Sequence, residues 1–302
     1  MEDTNTRDRD FGARILMCAP EHFEVSYTIN PWMDPAEWSR EANSLGLAAR
    51  REWKRLKQKL TQLGASIELV PPVKGLPDLV FTANAAVVMD GIALVASFRY
   101  PERQPEAAHY ERSFRELWAR GAIDAVRPMP EGVLLEGAGD CVWDPARQMF
   151  WSGYGPRSDK DAARVVAETY GVEALPLELV NPNFYHMDTA LAPLPHGELM
   201  YVPSAFSEEG LRQLYDRVAP EQRIALSDKD AAVFAANAVK LGDNIVMSSC
   251  STALRRRLEE AGYRVHPTSL GTCHPSGGSA FCLTLRLDQR TESGTAALRR
   301  VS

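Results

Sequence analysis

The strongest constraint on this chain is a repeat. Four times, a helical pattern runs into a glycine and then a short apolar strand. The first helix is expected from the cap Asp34-Pro35-Ala36-Glu37 to the stop at Gly64, with Ser66–Val70 as its strand. The second runs from about Glu106 to Ala119 and stops at Gly121. The third starts near Ser158 with a Ser-x-x-Asp cap and stops at Gly171; the last starts near Ser251 and stops at Gly262. A weaker copy, Glu208 to Val218, lacks the glycine. Glycine after the last turn allows the left-handed conformation that ends a helix, so its recurrence is structural. Between these units lie strand–turn–strand patterns: Ala85–Met89 with Ile92–Ala96, Cys141–Asp144 with Met149–Ser152, Thr189–Pro193 with Glu198–Val202, and Ala238–Leu241 with Ile245–Ser248.

The unit is therefore helix, strand, hairpin, repeated about five times around an axis. No single unit can bury its own apolar face, so the ring forms one domain rather than two. Arg14–Met17 and Cys282–Leu287 are expected to close it. The predicted class is α/β, a single-domain, five-bladed pseudo-symmetric propeller spanning 12–289. Residues 1–11 and 290–302 are expected to be flexible tails.

Composition narrows the function. The chain has 34 basic against 40 acidic side chains, a net charge of −6, which argues against a general nucleic-acid binder. No apolar run approaches the roughly 18–20 residues of a membrane span. Met1–Asp10 has no apolar signal core, so a soluble cytoplasmic protein is expected. Five cysteines without paired spacing read as reduced thiols.

The loops between strand and hairpin carry the unusual residues. Gly121 to Glu136 and Gly171 to His186 are each 15 residues, and Gly64 to Asp78 is 14. Rotational repetition brings equivalent loops to the same end of the axis. Asp78 with Asn84, Glu136 with Asp140, His186 with Asp188, and Cys282 are therefore expected around one pocket. A cysteine, a histidine and several carboxylates facing one cavity suit a nucleophile, an acid/base and a cation-binding wall. Cys282 follows the glycine-rich Gly277-Gly278, where backbone can approach a ligand closely. His186 and Asp188, two apart on an extended segment, would project to the same side. Glu136 and Asp140 flank Gly137-Ala138-Gly139 and suit a bidentate grip on a planar guanidinium. Part of the net negative charge would then line a pocket for a cationic substrate. Cys273-His274 lacks the spacing of a zinc site, and no metal or cofactor is expected.

At these positions the sequence resembles the guanidino-group-modifying enzymes of the pentein fold. The matching segments are Phe81-Thr82-Ala83-Asn84, Glu136-Gly137-Ala138-Gly139-Asp140, Gly153-Tyr154-Gly155-Pro156-Arg157, His186-Met187-Asp188-Thr189, and Gly277-Gly278 through Cys282-Leu283-Thr284. The resemblance implies a five-bladed ββαβ propeller with its site on the axis. Met17-Cys18-Ala19-Pro20 and Tyr27–Met33 are similar to the arginine dihydrolase branch. Asn84 points the same way, because typical deiminases carry an aspartate there. The resemblance implies hydrolysis of arginine to ornithine, ammonia and carbon dioxide, with Cys282 as nucleophile, His186 as acid/base and Glu136 as a third catalytic group. Asp188 with Glu136 would hold the guanidinium, and Asn84 with Asn30 a neutral ureido intermediate. Asp140 belongs to the same wall, and Arg99 and Arg157 are candidates for the substrate carboxylate. The alternatives are a dimethylarginine dimethylaminohydrolase, an amidinotransferase, and a non-catalytic propeller that only binds. The expected partner is a small molecule, with no nucleic acid and no membrane; a homo-oligomer is left open.

Overall fold

The computed structural model describes residues 12–301; the expected N-terminal tail, 1–11, lies outside them. Among the described residues, five three-stranded sheets repeat one plan. The sheet that closes the chain joins β1 (Arg14–Cys18) and β2 (Ser66–Val70) to β15 (Leu285–Arg286). The others are β3 (Ala86–Met89), β4 (Ile92–Val95) and β5 (Ala125–Pro128); β6 (Cys141–Asp144), β7 (Met149–Tyr154) and β8 (Ala174–Glu178); β9 (Leu191–Pro193), β10 (Leu199–Tyr201) and β11 (Arg223–Ala225); and β12 (Val239–Leu241), β13 (Asn244–Met247) and β14 (Arg264–Pro267). In each sheet the middle strand runs antiparallel to one neighbour and parallel to the other. A parallel pair needs a long crossover, and the helix of each unit supplies it. β6 touches β9 and β15 touches β3, so the first strands of the hairpins line the axis. Ile15 opposite Arg286 and Leu16 opposite Leu285 close the ring as expected. This is the predicted five-bladed pentein propeller.

Local chemistry fixes most element ends. Asp34 caps its helix by accepting from the N–H groups of Ala36 and Glu37 at 2.9 and 3.1 Å. Ser251 caps Thr252–Glu260 in the expected way. Gly171, at φ 68°, ends Ala162–Tyr170.

Four expectations need correction. The single helix from Pro35 to Gly64 is two, Pro35–Arg40 and Ala42–Gln62. The chain turns at Glu41, whose N–H donates to Trp38 only three residues back, and the bend leaves Trp38 edge-on to buried Phe23. The third helix starts at Ala162 rather than near Ser158, because the Ser158 hydroxyl donates to Asp140 instead of capping. The closing strand is only Leu285–Arg286, so Cys282 lies in the turn before it. Residues 292–301 form a helix rather than a flexible tail. Thr291 anchors its start, donating from N–H and Oγ1 to the Asp90 carboxylate at 2.9 and 2.7 Å. No described helix is long and apolar enough to cross a membrane, and all five cysteines are free thiols.

Candidate active site

The turn that enters each first strand carries a polar side chain to the same end of the axis. Asn84 enters β3, Glu136 and Asp140 bracket the turn into β6, His186 and Asp188 the turn into β9, and Cys282 enters β15. These turns pack closely. A Cβ added at Gly139 would collide with the Asn84 amide, so only glycine fits there. At Gly277, φ 79° and the Tyr185 ring exclude a side chain together.

Cys282 is buried, and its thiol donates to Asp188 Oδ2 at 3.1 Å. The Asn237 amide donates to Cys282 Sγ at 3.0 Å. Burial first, then the Asp188 carboxylate, push the thiol well above its ordinary range. Burial likewise pushes Asp188 up to about 7, partly offset by the bonds from Cys282 and Asn237. Asp188 Oδ1 is buried without a hydrogen-bond partner.

The expected pairing of His186 with Asp188 does not form. Met187–Ala190 is a helical turn, not an extended segment, so the two side chains part. His186 Nε2 instead meets Glu136 Oε2 at 2.9 Å. An ionised carboxylate can only accept, so Nε2 carries the hydrogen and Nδ1 keeps a lone pair. Burial, against the pull of Glu136, pushes His186 down to about 4. Glu136 is wholly enclosed. Burial alone would raise its carboxyl, but Arg157 and then His186 hold it well below the usual carboxylate range.

The expected joint grip of Glu136 and Asp140 on a guanidinium does not form: Glu136 alone meets one, and it is the internal guanidinium of Arg157. Arg157 Nη1 donates to Glu136 Oε2 at 2.9 Å, and the guanidinium lies against the rings of Tyr185 and Tyr100 at 4.5 and 4.8 Å. Asp140 accepts from the Met187 N–H at 3.1 Å and from Ser158 Oγ at 2.5 Å. It ties two turns together and takes no part in lining the pocket.

Between these turns lies a narrow pocket. Cys282, His186, Asn84, Asn30, Arg157 and Asp78 line it, with Arg103, Tyr185 and Ser276. Asp78 is the one described carboxylate on its wall; Glu136 and Asp188 stand behind His186 and Cys282. The acidic lining expected from net charge is thus a layer deeper. Arg99 points elsewhere: it pairs with Asp159 at 2.7 Å and is 36% exposed. Its Nε donates to the Arg157 carbonyl at 3.0 Å, so it braces the backbone of a pocket residue.

Sequence reasoning missed Arg103 and Asn237. Arg103 is buried, held bidentately by Glu106 at 2.8 and 2.9 Å, and donates to Asn84 Oδ1 at 3.0 Å. Asn84 Nδ2 donates to the Glu136 carbonyl at 3.1 Å, so its orientation is fixed at both ends. Asn30 is held similarly, accepting from the Trp32 N–H and donating to the Ser276 carbonyl at 2.9 and 3.1 Å. For Asn237 the available signal was its place before the fourth hairpin, matching that of Asn84 before the first.

Residues 19–288 match the family described as N,N dimethylarginine dimethylhydrolase, eukaryotic. The chain belongs to this family. It is similar to the bifunctional arginine dihydrolase/ornithine cyclodeaminase ArgZ of Synechocystis, 39% identical over 276 residues, covering 91% of this chain and 38% of that protein. The family member thus spans about two fifths of the length of that bifunctional relative. It is 36% identical over 277 residues to the N(G),N(G)-dimethylarginine dimethylaminohydrolase of Mycobacterium tuberculosis, covering 91% of this chain and 85% of that one. Among solved structures, the N-terminal domain of ArgZ, a cysteine-to-serine variant bound to substrate, superposes with a TM-score of 0.83 at 37% identity, covering 92% of this chain and 99% of that one. Both relatives carry hydrolase names, arginine dihydrolase and dimethylarginine dimethylaminohydrolase.

Proposed function

We propose that this protein is an arginine dihydrolase, converting arginine and two waters to ornithine, two ammonia and carbon dioxide. The observation that carries the reading is an amide, Asn84, on the wall of the cavity that Cys282 and His186 share. An amide can bond a neutral ureido group through either end, whereas a carboxylate there would favour the cation. Asp78 Oδ1, buried without a partner, suits the substrate ammonium, and Arg103 and Arg157 suit its carboxylate.

Cys282 Sγ gives its proton to Asp188 Oδ2 and attacks the central carbon. A cation in the pocket offsets the cost of the buried thiolate. Loss of ammonia consumes one proton, equal to the one that the thiol gave to Asp188 Oδ2, so Asp188 returns it to the departing nitrogen and His186 Nδ1 keeps its lone pair. Nδ1 then takes a proton from the water that opens the thiouronium-type intermediate. A second attack on the ureido carbon expels the second ammonia, and the second water breaks the resulting C–S bond to give a carbamate that loses carbon dioxide and leaves ornithine. Free thiols and the small-molecule pocket fit a cytoplasmic metabolic enzyme.

The test is product analysis by mass spectrometry with arginine, citrulline and methylated arginines side by side. Ornithine from arginine supports the reading; citrulline as sole end product overturns it. In the same assay Asn84→Asp should lose more of the second step than of the first. The family match favours one second reading, hydrolysis of dimethylarginine, which release of dimethylamine would reveal.

The pH dependence follows from Asp188. It accepts a proton only when ionised, so kcat/KM should rise with pH through about 7. His186, pushed down to about 4, stays neutral over that range and adds no limb. Asp188→Asn should remove the limb near pH 7 along with most of the rate. A wild-type profile flat from pH 5.5 to pH 8 would remove Asp188 from the proton path.

A further inference from the structure

We propose that Asn237 is a catalytic residue that donates a hydrogen bond to the Cys282 thiolate and fixes the sulfur in line for attack. This deepens the reading of Cys282 as the nucleophile and rests on it.

The orientation of the Asn237 amide is set by its other partners. The Cys282 N–H can only donate, so the atom it meets at 3.1 Å is Oδ1. The Asp188 carbonyl can only accept, so the atom it meets at 3.2 Å is Nδ2. Both constraints give the same rotamer, and it turns an N–H toward Sγ at 3.0 Å. The side chain is fully buried, so no water competes for that bond. The backbone adds a further tie, because the Asn237 carbonyl accepts from the Phe281 N–H at 3.3 Å.

As the thiol proton leaves for Asp188 Oδ2, the sulfur becomes a stronger acceptor and this bond becomes charge-assisted. The interaction is therefore stronger after ionisation than before it, which is the condition for accelerating the step. The same bond is among the influences that hold the thiol down against burial.

The fold repeats this placement. Asn237 precedes the fourth hairpin as Asn84 precedes the first, and each amide donates to the backbone of a neighbouring blade, Asp188 or Glu136. The turn that presents Asn237 passes through Phe234 at φ 52°, a left-handed conformation costly for a residue with a side chain. Packing of Phe234 against Trp32 and Phe184 keeps it there.

The test uses Asn237→Ala and Asn237→Asp in the full chain. Alkylation of Cys282 by iodoacetamide is followed across pH without substrate, reading the Cys282 peptide by mass spectrometry. Steady-state rates are measured in parallel. The alanine variant should raise the midpoint of alkylation by about one pH unit or more. It should lower kcat roughly 10- to 100-fold with little change in KM. The aspartate variant keeps the acceptor for the Cys282 N–H but replaces the donor, and its midpoint should rise further. Unchanged midpoints in the variants that fold overturn the proposal, as does a loss of kcat matched by loss of thermal stability alone. Alkylation needs no substrate, so a failure of the arginine reading leaves this outcome legible.

Discussion

Cys282→Ser should leave a folded protein that no longer turns over, with kcat lowered on the order of 10⁶-fold. The argument begins with the proton. Asp188, pushed up to about 7, is a weak base held against a buried thiol that already resists ionisation. A serine hydroxyl ionises far less readily than a thiol, so the same carboxylate cannot generate its anion. His186 does not take over, because its free Nδ1, pushed down to about 4, is too weak a base for a hydroxyl. The fold should survive, since a hydroxyl can donate to Asp188 Oδ2 and accept from Asn237 as the thiol does. Thermal denaturation and substrate binding by calorimetry should therefore be close to wild type. A variant retaining near-normal rates would remove the covalent mechanism.

The distribution of legible and illegible features follows from what is local. The hairpins and helix stops lay in turn residues and glycines, whose conformational demands act within a few positions. The convergence of Asn84, Glu136, His186 and Cys282 was readable because the repeat supplies phase: equivalent turns must reach the same end. Side-chain direction on irregular backbone has no such phase. Arg99 and Arg103 lie four apart before one helix, and the segment does not say that Arg103 turns inward and Arg99 outward. Glu136 was recognisable as a cation holder, yet its cation is Arg157, in another part of the same blade, and Asp140 instead ties two turns together. Helix 292–301 depends on Asp90, about two hundred residues earlier in the chain. Asn237 is a small amide among alanines, visible only when the fourth blade is compared with the first.

The largest loss of stability should come from Glu136. Its Oε2 receives Arg157 Nη1 and faces His186 Nε2, each at 2.9 Å, and Arg103 lies 3.9 Å away. All four side chains are buried. Glu136→Gln keeps the volume but removes the one charge that balances Arg157. Arg103 retains Glu106 and Asp78, so the uncompensated cation is Arg157 alone. Removing one partner of a buried pair costs about 3–5 kcal/mol. That corresponds to a fall in Tm of roughly 5–10 °C for a protein of this size. Activity should fall as well, because a neutral amide oxygen holds the His186 N–H more weakly than the carboxylate that selects its tautomer. The effects can be separated. Glu136→Asp restores the charge on a shorter stem, so it should recover most of the stability while leaving His186 poorly placed. Equal recovery of Tm and kcat in Glu136→Asp would show that Glu136 serves Arg157 only, and that the histidine is oriented by something else.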